Sequence, residues 1–126
     1  MWRHFTLDEF KCKCGCEGNQ IDPKLVDILD DIREELGFPM VISSGYRCPA
    51  HNNAVSTTGL NGPHTTGKAA DVAVMGMEAF LVLQSATKSG KIYGIGINQK
   101  GPHNKRFLHL DMLDSSASFR PTIWSY

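Results

Sequence analysis

The 126-residue sequence predicts an α+β fold in which helices flank a small, largely antiparallel sheet. Three observations lead to this class. Two segments carry apolar residues at helical spacing, and four short segments are typical of strands. The two kinds mix without the regular alternation of long strands that marks a parallel sheet. Because the length suffices for one core but not two, we expect residues 1–126 to form one domain.

The first helix is predicted over residues 22–37. Asp22 can cap its start, Pro23 suits the first turn, and Gly37 suits the end. Leucine and isoleucine recur between these signals at helical spacing, at residues 25, 28, 29, 32 and 36. A second helix is expected over about residues 77–89.

Four segments are predicted as strands: residues 38–44, 67–74, 91–98 and 106–112. The third is weakened by glycines at positions 94 and 96. Residues 45–63 are rich in Asn, Ser, Thr, Gly and Pro, so we expect a loop that carries functional residues. The tail from residue 113 is polar and then aromatic, and Trp124 is expected to pack against the body.

Charge and hydropathy argue against several classes of partner. Thirteen basic and thirteen acidic residues cancel, so neither a nucleic acid nor an anionic membrane is expected to bind. The sequence has neither a signal-peptide-like N-terminus nor an apolar run of ~18 residues that could insert into a membrane. We therefore expect a soluble monomer that is made in the cytoplasm and needs another factor for delivery to any target outside.

Two histidines and an aspartate form a candidate metal site. His64 precedes Asp71 by seven residues and can share a metal with it if the chain turns at Gly67 and then follows a strand. In the last predicted strand, His109 and Asp111 share one face. Two histidines and a carboxylate are a ligand set of catalytic zinc, whose fourth position holds a water with a pKa of about 7. Spacing alone leaves open that these are ordinary histidines.

Together, the motifs resemble the zinc D-Ala-D-Ala carboxypeptidase family. The resemblance runs from about residue 5 to residue 112 and is carried by His64-x-x-Gly67-x-Ala69-x-Asp71, His109-x-Asp111 and Ser44-Gly45-Tyr46-Arg47. The family includes phage L-alanyl-D-glutamate endolysins and shares its fold with the hedgehog signalling domain.

The resemblance implies that His64, Asp71 and His109 bind Zn²⁺. It also implies hydrolysis of D,D or L,D peptide bonds in peptidoglycan stem peptides. The protein would then be a cell-wall carboxypeptidase or a phage or prophage endolysin, acting in the wall or periplasm once delivered.

Three further residues are predicted to contact the substrate. Arg47 matches the family arginine that binds the substrate carbonyl or carboxylate, and a fixed guanidinium beside zinc would stabilise an oxyanion. Tyr46 either packs in the core or lines the cleft. Asn52 either hydrogen-bonds the substrate or closes its turn.

The general base is the main departure from the family pattern. Relatives carry Glu or Asp three residues before the last zinc histidine, whereas this chain has Arg106, which cannot accept a proton. Asp111 could act as the base or could orient a ligand histidine. His103 is a further acid–base candidate or an ordinary loop histidine. A second departure is Gly62, where many relatives have Ser.

Because the usual acidic residue is missing at position 106, a non-catalytic zinc module that binds wall peptide or a protein partner is an alternative.

The four cysteines allow three interpretations. Cys12, Cys14 and Cys16 form one run, and Cys48 stands alone. They could form a structural zinc clip, a disulfide from Cys48 to one of the others, or free thiols that pack a loop. The spacing differs from the usual C-x-x-C zinc knuckle, so the sequence leaves all three open.

Overall fold

The computed structural model describes residues 2–114 and 118–126, and within them it contains one five-stranded sheet. The strands in chain order are β1 (Val41–Ser44), β2 (Ala69–Ala73), β3 (Gly94–Asn98), β4 (Phe107–Asp111) and β5 (Thr122–Ser125). Their order across the sheet is β1-β2-β4-β3-β5. The first three neighbouring pairs are antiparallel, and β5 runs parallel to β3. The predicted α+β class is confirmed.

Within the described residues, three α-helices accompany the sheet: α1 (Pro23–Leu36), α2 (Pro49–Val55) and α3 (Gly76–Ser89). The capping signals predicted for α1 are present, because the Asp22 side chain accepts from the Lys24 N–H and Gly37 adopts φ 78°. None of the described helices is long and apolar enough to span a membrane.

The segment predicted as a loop contains α2, which is a correction. This short helix begins at Pro49, and the sulfur of Cys48 accepts a hydrogen bond from the His51 backbone N–H at its start. Because Asn52 is the buried residue that α2 contributes, the helix lacks the apolar periodicity that sequence analysis detects. Short 3-10 helices also lie at Leu7–Phe10, Pro63–Thr66 and His103–Lys105.

Strand alternation separates a core face from a site face. Leu108 and Leu110 of β4 belong to the apolar core, which α1 and α3 complete. Burying each such side chain contributes about 1.5–3 kcal/mol. Because successive strand residues point to opposite sides, His109 and Asp111 lie on the other face. The tail, through β5, supplies additional side chains to that face.

Candidate metal centre

His64, Asp71 and His109 converge as predicted on the site face of the sheet. His64 lies in the 3-10 helix before β2, and Asp71 pairs in register with His109 across β2 and β4. His64 Nε2 and His109 Nδ1 lie 3.2 and 3.1 Å from Asp71 Oδ1. One atom from each residue can be chosen so that all lie within 4.8 Å of one another. Ligands about 2.1 Å from a tetrahedral zinc lie about 3.4 Å apart, so the three residues fit one ion.

The remaining ring nitrogen of each histidine has its own acceptor. His64 Nδ1–H donates to the carbonyl oxygen of Gly45 at 2.7 Å, and His109 Nε2–H donates to Asp111 Oδ2 at 2.7 Å. His64 Nε2 and His109 Nδ1 therefore remain to bind a metal, which would replace the hydrogen bonds that they make to Asp71. Histidines that bind metal are typically oriented by such second hydrogen bonds.

The charges of the buried groups also suit a cation. Burial alone would raise the pKa of Asp71, but hydrogen bonds from His109 and His64 outweigh it and hold the pKa well below its usual range. Burial would lower the pKa of His109, but its hydrogen bonds to Asp111 and Asp71 raise it. The carboxylates are therefore ionised at neutral pH, and a divalent cation can take the place of the proton that His109 attracts.

Asp111 lies behind His109, on the opposite side of the imidazole from Asp71. Besides His109, it accepts two hydrogen bonds from Arg120, from Nη2 to Oδ2 at 2.7 Å and from Nε to Oδ1 at 3.0 Å. Burial would raise the pKa of Asp111, yet hydrogen bonds from His109 and Arg120 lower it to about 2. Since the side chain is fully buried and both oxygens are engaged, the geometry favours the orienting role over the role of base.

Arg47 is fixed beside the three ligands. Its Nε donates to Ser44 Oγ at 3.0 Å, its Nη1 donates to Asn52 Oδ1 at 3.1 Å, and its Nη2 lies 3.6 Å from Asp71 Oδ2. The guanidinium lines the same cleft as His64, Asp71 and His109. It is therefore placed where the sequence predicted a group that stabilises an oxyanion.

Three other predicted site residues do not line this cleft. Asn52 is 1% exposed, and its Nδ2 donates to Thr58 Oγ1 and to the Gly59 carbonyl, so it holds Arg47 and the following loop. Tyr46 is buried on the side of Gly18, near the cysteines. His103 is exposed in its 3-10 helix, consistent with an ordinary loop histidine. These positions argue against the predicted substrate contacts of Tyr46 and Asn52 and the acid–base role of His103.

The cleft has a volume of about 870 Å³, and the C-terminal tail forms part of its wall. The Trp124 ring centroid lies 5.1 Å from that of His109, and Tyr126 packs on Phe107. Arg120 also lines the cleft. Sequence analysis missed the site roles of these tail residues because no spacing rule links them to the histidines.

The glycines of β3 are the sequence feature that could have indicated that the tail packs against the site face. Gly94 and Gly96 pair with Asp111 and His109, so they lie on the site face. A Cβ atom on Gly94 would overlap the Asp111 carboxylate, and one on Gly96 would lie 2.7 Å from Trp124 Nε1. Alternate glycines opposite the His-x-Asp strand thus mark a face that other groups approach closely.

Comparison with known proteins identifies the family. A family model for peptidase M15 matches residues 3–111, a range that contains His64, Asp71 and His109. No curated protein matches the chain. Peptidases of this family depend on zinc, in agreement with the donor set that the structure assembles. The chain therefore belongs to the peptidase M15 family of metallopeptidases, as its motifs predicted.

Proposed function

We propose that this protein is a zinc-dependent hydrolase that cleaves peptide bonds in the stem peptides of bacterial peptidoglycan. The observation that carries the proposal is the convergence of His64 Nε2, Asp71 and His109 Nδ1 beside Arg47 in an open cleft. Zinc held there would lower the pKa of a bound water to about 7 and polarise the scissile carbonyl.

Arg47 supplies positive charge next to the reacting carbonyl. Its hydrogen bonds to Ser44 and Asn52 fix the guanidinium before substrate arrives. A fixed donor stabilises the oxyanion of a tetrahedral intermediate without reorganisation, and removing one such donor typically lowers kcat by about 10²–10³-fold.

The lining of the cleft supports a peptide substrate. Asn98 lines the cleft and adds a polar amide to its wall. Trp124 and Tyr126 offer aromatic walls, and Arg47 can pair with a stem-peptide carboxylate. The protein would meet this substrate in the wall or periplasm.

A non-catalytic module that binds wall peptide is the second candidate. The observation in its favour is that Asp71, a proposed zinc ligand, is the sole carboxylate among the described residues that line the cleft. Because Asp111 is hydrogen-bonded to Arg120, no further carboxylate among the described residues lines the cleft to activate a zinc-bound water. Such a module would hold zinc and bind peptide without releasing products.

Purified Gram-negative sacculi distinguish the two functions. Wild type, His64→Ala and His103→Ala are incubated with sacculi, new amino groups are counted, and the products are identified by mass spectrometry. We expect release by wild type and by His103→Ala, which alters an exposed residue outside the described cleft lining, and loss of release in His64→Ala. The product masses separate removal of a terminal D-Ala from cleavage within the stem.

The binding-module hypothesis predicts a different result. Wild type would then retain zinc and sediment with sacculi, but would release no amino groups from any wall preparation. That outcome would exclude the hydrolase.

A further inference from the structure

A second group of metal-binding side chains lies outside the His64 site. The Sγ atoms of Cys12, Cys14, Cys16 and Cys48 all lie within 4.8 Å of one another. The Cys12 and Cys14 sulfurs are 3.4 Å apart, and those of Cys14 and Cys48 are 3.7 Å apart. All four cysteines are free thiols in the structure.

We propose that these four cysteines bind a structural zinc ion, independently of the peptidase site. Four sulfurs about 2.3 Å from a tetrahedral zinc lie about 3.8 Å apart, close to the observed separations. A disulfide from Cys48 would join one partner and leave two thiols beside it, whereas zinc uses all four. With four protein ligands the ion has no open position for water, which is the arrangement of structural sites.

The local backbone explains how an unusual C-x-C-x-C run reaches one point. In an extended strand, residues two apart are separated by about 6.6 Å, so three cysteines could not share an ion. Here Gly15 adopts φ 91° and Glu17 adopts φ 62°, and the Cys12 N–H donates to the Gly18 carbonyl at 2.8 Å. The run is therefore folded into a tight turn that places its sulfurs together.

Backbone N–H groups point at three of the four sulfurs. The Cys48 N–H donates to Cys12 Sγ at 3.3 Å, the Gly18 N–H to Cys16 Sγ at 3.3 Å, and the His51 N–H to Cys48 Sγ at 3.4 Å. Such contacts stabilise negative charge on sulfur and orient it, as groups around metal ligands commonly do. They are independent of the sulfur separations and favour the same conclusion.

The zinc clip, defined as these four cysteines and their ion, connects the N-terminal segment to the corner that carries Arg47. Cys48 follows Arg47 directly and caps α2, which supplies the Asn52 acceptor for the guanidinium. The Tyr46 N–H also donates to the Phe10 carbonyl at 2.8 Å. The clip therefore stabilises this corner without taking part in hydrolysis.

Metal analysis of the reduced, full-length protein tests the clip. After equilibration with zinc and removal of free metal, we expect two zinc ions per chain in wild type and one in His64→Ala. The matched variant Cys16→Ser changes an exposed ligand and should lower the content to about one, whereas Cys16→His restores a ligand and should recover the second ion. Because none of these measurements uses activity, the clip and the peptidase function are tested separately.

Cobalt substitution gives the spectroscopic readout. Cobalt-loaded wild type and His64→Ala should both show a strong thiolate-to-cobalt charge-transfer band, because the His64 site contains no sulfur. One zinc per chain in wild type, with none in His64→Ala and no thiolate band, would overturn the proposal even if Cys16→Ser fails to fold. Detection of a Cys48 disulfide by mass spectrometry in protein kept under cytosol-like reducing conditions would also overturn it.

Discussion

The imidazole of His109 is held from two sides by aspartates with different surroundings. Asp71, on its Nδ1 side, lies at the open cleft, and Asp111, on its Nε2 side, is enclosed with Arg120. Strand alternation predicted that His109 and Asp111 share a face. It could not predict Arg120, which donates to both oxygens of Asp111 and so favours the orienting role.

Replacing Asp111 with Asn separates the two roles predicted for it. If Asp111 orients His109, the Asp111→Asn variant should lose about 10–100-fold in zinc affinity. Its activity on sacculi should then recover substantially when zinc is added in excess, since the missing property is metal binding. Zinc affinity is measured by competition with a chromogenic chelator, and activity is measured as released amino groups.

A general base would give the opposite pattern in the same assay. Asp111→Asn would then keep wild-type zinc affinity, and no concentration of zinc would restore its activity. His103→Ala serves as the control, because it changes an exposed ionisable side chain outside the cleft lining and should alter neither quantity.

At the scale of elements, β3 is important because two of its five residues are glycines without side chains. Its two glycines leave space on the site face for the Asp111–Arg120 pair and for Trp124. The prediction of this strand was right, but its glycines were interpreted as weakening the strand. The structure shows that they accommodate the tail.

The Gly94→Ala variant should therefore damage the site through crowding. Its added Cβ would overlap the Asp111 carboxylate and approach Arg120. We expect a stability loss of about 1–3 kcal/mol from overpacking, together with reduced zinc affinity and activity. Thermal unfolding and zinc competition measure the two effects.

A glycine far from the site supplies the matched control. Gly37 ends α1 at φ 78°, and a Cβ there would meet no atom within 4 Å. Gly37→Ala should cost about 1 kcal/mol through backbone strain alone and leave zinc affinity unchanged. Equal zinc affinities in Gly94→Ala and wild type would refute the proposed crowding.

Helix α1 anchors the N-terminal segment through Asp30. This buried carboxylate accepts from the Arg3 Nε at 3.0 Å and from the backbone N–H groups of Arg3 and His4 at 3.2 and 2.9 Å. Burial alone would raise the pKa of Asp30, but these hydrogen bonds lower it below its usual range. Asp30 is therefore expected to stabilise the fold most strongly in its ionised form.

The Asp30→Asn variant should lose about 1–3 kcal/mol of unfolding free energy at pH 7. Because the folded-state pKa is lowered, the contribution of the carboxylate is present above the unfolded pKa of about 3.9 and is lost as the pH falls through the folded value. The difference from wild type should therefore shrink below about pH 4. Urea unfolding of both proteins in the same zinc-free buffer at several pH values measures it.

Asp31 provides a control on the same helix. It makes an ion pair with Arg3 at 2.7 Å, but its side chain is 69% exposed. Exposed pairs contribute about 0–1 kcal/mol, so Asp31→Asn should change stability little at any pH. A loss in Asp30→Asn that is no larger than in Asp31→Asn, or that stays constant down to pH 3, would contradict the proposed role.

For the whole molecule, periodic features were predictable from the sequence. The capping residues and apolar spacing of α1, and the strand carrying His109, depend on local rules that the structure follows. That His64, Asp71 and His109 lie together was also predictable, from a motif supported by family resemblance. Strand ends shifted by up to three residues, since propensity marks hydrophobic segments more sharply than their boundaries.

The remaining features depend on contacts between distant parts of the chain. Helix α2 begins with Pro49 and a cysteine cap, so it has little apolar pattern of its own. Strand β5 forms where the tail meets β3, and Arg120 is recognisable as a site residue only beside Asp111. The sequence of the C-x-C-x-C run does not show that it folds into a turn, and only that turn brings the four sulfurs close enough to share one metal ion.

The central claim is that zinc held by His64, Asp71 and His109 makes this cleft a peptidase, and a zinc titration tests it most directly. Chelated wild-type protein is titrated with zinc while amino groups released from sacculi are counted, and His64→Ala is treated in parallel. We predict no release from the chelated protein, release by wild type that rises and saturates as zinc binds, and none from His64→Ala at any zinc concentration. Undiminished release by metal-free wild type, or wild-type rates from His64→Ala, would contradict the claim.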